Sequence, residues 1–460
     1  MNDNASATPS ETTSETSSDR FDVAIIGGGG AAEALVGALE SSNSRVLVIE
    51  RNRVGGDCPF VACMPSKAML HDAVGPTRWD DAVQRRDEVV EHLDDRRHAE
   101  QVVRQGARLV RGHATVIDEH TIEVDGTTFR TDHLVLATGS TPVIPPIDGL
   151  DTIGEHLWTS DDALTTDERP MRLMIIGGGP IGCELARLFA GFDTEVHLID
   201  EADRAFPELP AEIGEIVDDA LRSVGVRVHR GRSAVRFEQR GGNVQITLDN
   251  DATVVTDRVL VATGRIADLA DLGLKHLGLD PEAPLPVDET GRVDCPGSVW
   301  AIGDVAGKGQ YTHLANHQAR VVANHLIGAG DRRYDDVVVP ACIFTKPPVM
   351  MVGPLPAELD DDAIWVEAKL SEVARWTTDS LGDGFLTVAV DRTTRCVIAA
   401  HGVGAGFDEL AAALVTAIDG RVPVDRLVMS MWPFPTVGEL LGPIYERARE
   451  ALDAPAVHPS

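Results

Sequence analysis

Phe21-Asp22-Val23-Ala24-Ile25-Ile26-Gly27-Gly28-Gly29-Gly30-Ala31-Ala32 is the stretch that decides the fold of this chain. A largely apolar strand runs into a glycine turn, and the turn opens a helix. Gly27 permits the tight turn, Gly29 lets the backbone approach a pyrophosphate, and Ala32 is small enough for close helix-to-strand packing. The helix N-terminus offers N–H groups and a positive dipole end to the phosphates. A second strand, Arg45-Val46-Leu47-Val48-Ile49, then delivers Glu50 to the ribose hydroxyls.

The pattern occurs twice. Leu173-Met174-Ile175-Ile176 reads as a strand, Gly177-Gly178-Gly179-Pro180-Ile181-Gly182 as the turn, and Val196-His197-Leu198-Ile199 as the strand that delivers Asp200. The acid follows the first glycine by 23 residues in both copies, Gly27 to Glu50 and Gly177 to Asp200. Here Gly177, Gly179 and Gly182 take the three fingerprint positions. Each copy is followed by a strand ending in a like tripeptide, Ala137-Thr138-Gly139 and Ala262-Thr263-Gly264, which closes each nucleotide-binding unit. Two dinucleotide sites on an α/β framework are predicted.

Five residues after Glu50 begins Gly55-Gly56-Asp57-Cys58-Pro59-Phe60-Val61-Ala62-Cys63-Met64-Pro65-Ser66-Lys67. It sets a redox-capable thiol pair beside a nucleotide cofactor, which points to electron transfer through sulfur. A close cysteine pair in a cytosolic protein is more often catalytic or metal-binding than a structural disulfide. A metal would need further ligands, and no second close cysteine pair accompanies this one. The other four cysteines, Cys183, Cys295, Cys342 and Cys396, are scattered and read as small buried apolar residues.

With 460 residues the chain exceeds one ordinary core and should divide into about three domains. The boundaries expected are a disordered acidic tail over 1–20, a first nucleotide domain over 21–155 and 281–333, a second over 156–280, and an α+β domain over 334–460. A charged helical stretch is expected from about Asp80 to Gln105. No apolar run approaches the roughly 18 residues of a membrane span and no cleavable signal begins the chain, so a soluble cytoplasmic protein is expected. Formal charge is 41 minus 73, or −32, which argues against nucleic acid and anionic membranes as partners. Lysine supplies only five of the 41 basic residues, and acids cluster as at Asp360-Asp361-Asp362. This suggests a halophilic source, where screening makes a dense acidic surface tolerable, although a high-GC genome also favours arginine.

Taken in order, these motifs resemble the flavoprotein pyridine nucleotide-disulfide oxidoreductases, the family of lipoamide dehydrogenase, glutathione and mycothione reductases and mercuric reductase. The resemblance runs from about Phe21 to about Ala451. Ala301-Ile302-Gly303-Asp304 is similar to the family motif whose aspartate holds the flavin ribityl chain, and Phe344-Thr345-Lys346-Pro347 is similar to the opening of its dimerisation domain. The resemblance implies FAD and NAD(P)H as cofactors, a homodimer, and a small-molecule substrate. It implies that electrons pass from nicotinamide through flavin to Cys63, the inner sulfur, and that Cys58 is the outer, interchange thiol. Lys67 matches the lysine near the reactive flavin nitrogen and Glu184 the acid that pairs with it, since a buried lysine without a carboxylate carries a heavy desolvation cost. Asp200 can accept from the 2′-hydroxyl of NAD and repels the 2′-phosphate of NADP, with Glu201 adding charge. NADH is therefore favoured, Arg204 being the residue placed to reverse that preference.

One departure is consequential. Relatives of the lipoamide dehydrogenase type carry His-Pro-Thr with a glutamate three residues on, whereas this chain has Phe434-Pro435-Thr436-Val437-Gly438-Glu439. The acid, Glu439, is kept and the base is lost, so efficient reduction of lipoamide or glutathione disulfide is not expected. Mercuric reductase also lacks that histidine, because soft thiolates binding Hg(II) need less proton transfer. It carries, however, a C-terminal cysteine pair that Asp453–Ser460 does not contain. His313 is expected to be structural or to line the flavin. The sequence leaves open a thiol/disulfide or other soft acceptor, a quinone or dye reductase using Phe434 as a flat apolar contact, and a redox sensor or complex subunit with little turnover.

Overall fold

Aliphatic and β-branched residues fill Arg20–Ile26 and Val46–Glu50, and both become strands with nearly every residue buried, as parallel strands covered on two faces require. The computed structural model describes residues 20–360 and 362–454. The expected acidic tail lies, save for Arg20, outside the described residues.

The chain forms two compact units, one taking residues up to Gly56, Arg96–Gly139 and Ala267–Arg332, the other Asp57–Asp95, Ser140–Ile266 and the chain from Arg333 onward. In the first unit the strand order is Arg108–Arg111, Val46–Glu50, Arg20–Ile26, Thr127–Leu136, Thr121–Val124, Ala114–Asp118, with Val299–Ala301 beside Thr127–Leu136. The four ladders that join the nucleotide-binding strands are parallel, while the hairpins over residues 114–136 are antiparallel. Helix Gly30–Leu39 packs on helix Thr312–Leu326. Gly303, at φ +76°, sits against both, its missing Cβ 3.4 Å from Ala31 Cβ and 3.9 Å from Ala315 Cβ.

The second unit repeats the parallel sheet in the order Arg227–Arg230, Glu195–Asp200, Arg172–Ile176, Arg258–Val261, Leu157–Trp158. A three-stranded antiparallel sheet follows over residues 234–256. A five-stranded antiparallel sheet then runs Pro340–Ile343, Val349–Val352, Val397–Val403, Phe385–Val390, Ile364–Lys369, covered by helices Phe407–Asp419 and Leu441–Asp453. This is the α+β part expected from about residue 334. Among the described residues no helix is long and apolar enough to cross a membrane.

Two expectations of organisation differ from what is observed. The sequence groups the thiol segment with the first fingerprint, but Asp57–Asp95 packs within the second unit. Aromatic packing accounts for this. The Trp79 ring lies 5.8 Å from Phe189 and 5.3 Å edge-on from Phe192, and Met69, Leu70 and Ala73 join the same core. Gly191 permits this approach, since a Cβ there would stand 2.4 Å from the Ala73 carbonyl oxygen. The single helical stretch expected over 80–105 is two helices, Trp79–Val89 and Arg96–Arg104. Between them Glu91, His92 and Leu93 all adopt positive φ, which an α-helix of L-residues cannot absorb.

Candidate active site

The two glycine turns are built alike. Gly27 and Gly177 sit at φ +102° and +101°, and a Cβ at either would collide with a carbonyl oxygen, that of Ala137 at 2.2 Å or that of Ala262 at 2.4 Å. Those carbonyls belong to the two closing tripeptides, whose own N–H groups donate back to Ile26 (2.8 Å) and Ile176 (2.7 Å). In the first copy Glu50 accepts Gly28 N–H at 2.6 Å and Asn52 N–H at 2.5 Å. In the second, Asp200 accepts Gly178 N–H through Oδ2 and Ala202 N–H through Oδ1, the latter at 2.7 Å. Each acid is thereby fixed at its strand end, beside the turn that it serves.

Arg204, expected as the residue placed to reverse the preference, is held by partners other than Asp200. Its Nη2 donates to the Pro207 carbonyl at 2.7 Å, and its other charged neighbour is Asp203. The cation beside the acid is instead Arg230, 7 % exposed, with Nη1 3.8 Å from Asp200 Oδ2. Asp218 holds it, accepting Nη2–H at 2.8 Å and Nε–H at 3.2 Å. Arg230 was hidden from sequence reading because its place depends on register: it pairs with Asp200 across two parallel strands.

The first turn leaves room for a dinucleotide. No side chain comes within 4 Å of a Cβ placed on Gly30 or Gly139, which leaves a cradle open beside the helix N-terminus. Four buried polar atoms among the described residues of this unit have no hydrogen-bond partner, Gln105 Oε1, Thr138 Oγ1, His317 Nε2 and Gln318 Nε2. Gln318 Oε1 meanwhile accepts Gly303 N–H at 2.7 Å, fixing the turn that presents Asp304. Gly27, Gly29, Glu50, Thr138, Gly139, Gly303 and Asp304 would hold the dinucleotide there.

The thiol pair lies wholly in the second unit. Cys58 is carried by helix Asp57–Phe60, Cys63 is the first residue of helix Cys63–Asp72, and both are half-buried. Lys67 follows Cys63 by one helical turn and so shares its face. Lys67 Nζ pairs with Glu184 Oε2 at 2.8 Å, and Ser66 Oγ lies 3.3 Å from the same oxygen. Glu184 Oε1 accepts the Phe344 N–H at 2.8 Å, and the Phe344 ring lies under the ammonium at 4.7 Å. One buried carboxylate therefore joins the thiol helix, helix Pro180–Gly191 and the start of the antiparallel sheet. Phe344 was not expected as a site residue, since no spacing in the sequence links it to Lys67. Among the described residues no group of three or more His, Cys, Asp or Glu side chains could hold a metal ion.

Residues 21–319 match the family model "Pyridine nucleotide-disulphide oxidoreductase", and 339–443 match that family's dimerisation domain. The chain belongs to this family. A mercuric reductase of Streptomyces lividans is 31 % identical over 92 % of the chain and 94 % of its own length. A dihydrolipoyl dehydrogenase of Pseudomonas aeruginosa is 30 % identical, over 93 % and 97 %. Among solved structures, the HOCl-induced flavoprotein disulfide reductase RclA of Escherichia coli, determined as a Cu(II) complex, is 27 % identical with a TM-score of 0.85, covering 93 % of this chain and 99 % of that one. The family is one of flavin-dependent enzymes that use FAD and NAD(P)H, and this member is an oxidoreductase.

Within this pyridine nucleotide-disulphide oxidoreductase, the turn that replaces His-Pro-Thr is well defined. Glu439 Oε1 accepts Thr436 N–H at 2.8 Å, closing a capping box on the short helix Val437–Leu440. Phe434 is 76 % exposed, and Met431 beside it 95 %. His313 opens helix Thr312–Leu326 in the first unit, its ring stacked on Tyr311 at 5.4 Å. Two of the scattered cysteines are poor thiolates: burial pushes the Cys183 thiol up to about 12, and burial, with Asp408 and Glu409 nearby, pushes Cys342 up to about 11.

Proposed function

We propose that the enzyme uses NADH to reduce a Cys58–Cys63 disulfide and that the resulting dithiol passes two electrons to a soft acceptor, either a thiophilic metal ion or a disulfide needing little proton transfer. FAD, when bound, supplies the two-electron relay between nicotinamide and sulfur. In balance, NADH and one proton convert the disulfide to two thiols, and the acceptor regenerates the disulfide. The observation that carries this reading is the placement of half-buried Cys63 one helical turn before Lys67, which pairs with Glu184, with Cys58 half-buried on the preceding short helix. The Lys67 ammonium, paired with Glu184, shares the helix face that carries Cys63. The soft-acceptor part is supported by position 434, where phenylalanine stands, and by Glu439, which caps its own turn.

Anaerobic titration with dithionite and with NADH is the direct test. Uptake of four electrons per subunit, with a long-wavelength thiolate-to-flavin band at the two-electron stage, is expected. Uptake of two would instead favour direct flavin reduction of a quinone or dye, a reading to which the exposed Phe434 ring lends an apolar contact. Four-electron uptake with negligible turnover on every acceptor would leave the redox-sensor reading.

Preference for NADH is proposed on Asp200, whose carboxylate is oriented by two backbone donors. Asp200→Arg is expected to lower kcat/KM for NADH and to improve the NADPH/NADH ratio by about tenfold, through relief of phosphate repulsion. The absolute gain with NADPH should be small, because Arg230 already stands 3.8 Å from that position and two guanidinium groups would repel. Steady-state kinetics with both nucleotides measures this, and an unchanged ratio rejects the assignment of Asp200.

A further inference from the structure

The residue directly before the outer thiol is an aspartate, and it is gripped from a distant part of the chain. Asp57 begins the helix that carries Cys58, and its Oδ2 lies 2.6 Å from Arg265 Nη2. Arg265 follows the Ala262-Thr263-Gly264 tripeptide that closes the second nucleotide-binding unit. Its guanidinium, 12 % exposed, is fixed by further bonds: Nε donates to Ser140 Oγ at 2.9 Å and Nη2 to the Ser140 carbonyl at 2.8 Å. Asp161 Oδ1 stands 3.7 Å from Nη1. The Asp161 carboxyl is itself held above its usual range, by burial first and then by the negative charge of Asp57.

A carboxylate one residue from a nucleophilic sulfur has two electrostatic effects when nothing offsets it. It disfavours the thiolate, and it repels any anionic molecule approaching the thiol. A fixed guanidinium on that carboxylate offsets both, and a planar fork bound at four points is better placed to do so than a mobile lysine. We propose that Arg265 is a positioning residue for the outer thiol: by clamping Asp57 it fixes the start of the Cys58 helix and screens the Asp57 charge from the sulfur. The proposal rests on reading Cys58 as the thiol that meets the acceptor. It makes the closing turn of the nicotinamide unit part of the thiol site.

The test uses full-length, FAD-loaded protein reduced with dithiothreitol and desalted, so that it does not depend on turnover. Alkylation of Cys58 is followed by peptide mass spectrometry with a neutral reagent, iodoacetamide, and an anionic one, iodoacetate. Arg265→Met is expected to slow iodoacetate about tenfold and iodoacetamide only about threefold at low ionic strength, with the gap closing as salt is added. Arg265→Lys should recover most of the loss. Adding Asp57→Asn to Arg265→Met should return the ratio of the two rates to the wild-type value, which general loosening of the helix would not do. Asp57→Asn alone should move the ratio about threefold the other way, and this variant decides the matter if Arg265→Met does not fold. A ratio that Arg265→Met leaves unchanged, or that Asp57→Asn neither shifts nor restores, overturns the proposal. Failure of the functional reading has a different signature, two-electron uptake in the titration with the alkylation ratios still behaving as described.

Discussion

Serine in place of Cys63 is expected to abolish the long-wavelength band of the two-electron-reduced enzyme and to lower turnover with thiophilic or disulfide acceptors by about 10³-fold or more. Two-electron sulfur chemistry needs a thiolate, and a serine hydroxyl neither ionises near neutrality nor forms the disulfide that stores the electron pair. Two of the remaining cysteines are ill suited to substitute. Cys183 is buried with its thiol near 12, and Cys342 has been pushed to about 11. Cys58→Ser should behave differently, keeping the band while losing turnover, because the inner thiolate survives and only the interchange sulfur is gone. Reduction of a quinone or dye should persist in both variants. Spectra of enzyme titrated anaerobically with NADH, together with kcat/KM for one acceptor of each kind, separate these outcomes. A band that survives in Cys63→Ser means that the sulfur beside the flavin has been misassigned.

What could be read in the sequence was whatever local geometry fixes. A turn that needs positive φ must have glycine, and the acid that closes it must fall a set number of residues later. Gly27 with Glu50 and Gly177 with Asp200 were therefore visible, and in the structure they form two near-copies of one hydrogen-bonded arrangement. Lys67 and Glu184 were paired through family resemblance, and the structure sets them 2.8 Å apart. Contacts that depend on strand register or on how separate segments pack were not legible. Arg230 meets Asp200 only because two parallel strands align those positions. Phe344 reaches Lys67 only because Glu184 draws three elements together. The membership of Asp57–Asp95 in the second unit follows from Trp79, Phe189 and Phe192, aromatic residues that any core could have used. Arg265 and Asp57 lie 208 positions apart, and nothing along the chain marks them as a pair.

Phe434→His is expected to raise kcat/KM for a small generic disulfide by about tenfold or more, a part of the roughly 10² to 10⁴ that a positioned acid–base group supplies. The family resemblance sets this residue opposite the thiol site of a second subunit, where an imidazole would protonate the departing thiolate and take up the proton of Cys58. Little stability should be lost, because Phe434 is 76 % exposed within the described chain and leaves no cavity when it is replaced. Glu439 is already held in place, its Oε1 accepting Thr436 N–H at 2.8 Å, so that Oε2 can take the imidazole N–H and raise its basicity. The gain should follow a rising pH profile set by the new imidazole, and Phe434→Leu, which removes the ring without adding a base, should show none of it. A thiophilic metal acceptor should respond far less than a disulfide, since sulfur–metal bonding demands little proton transfer. Direct reduction of a quinone should hardly change. Steady-state assays of both variants against the three acceptors settle the point. A folded, FAD-bound Phe434→His enzyme that gains nothing with any disulfide would show that this turn does not serve the thiols, and the soft-acceptor reading would then lose the support it draws from the missing histidine.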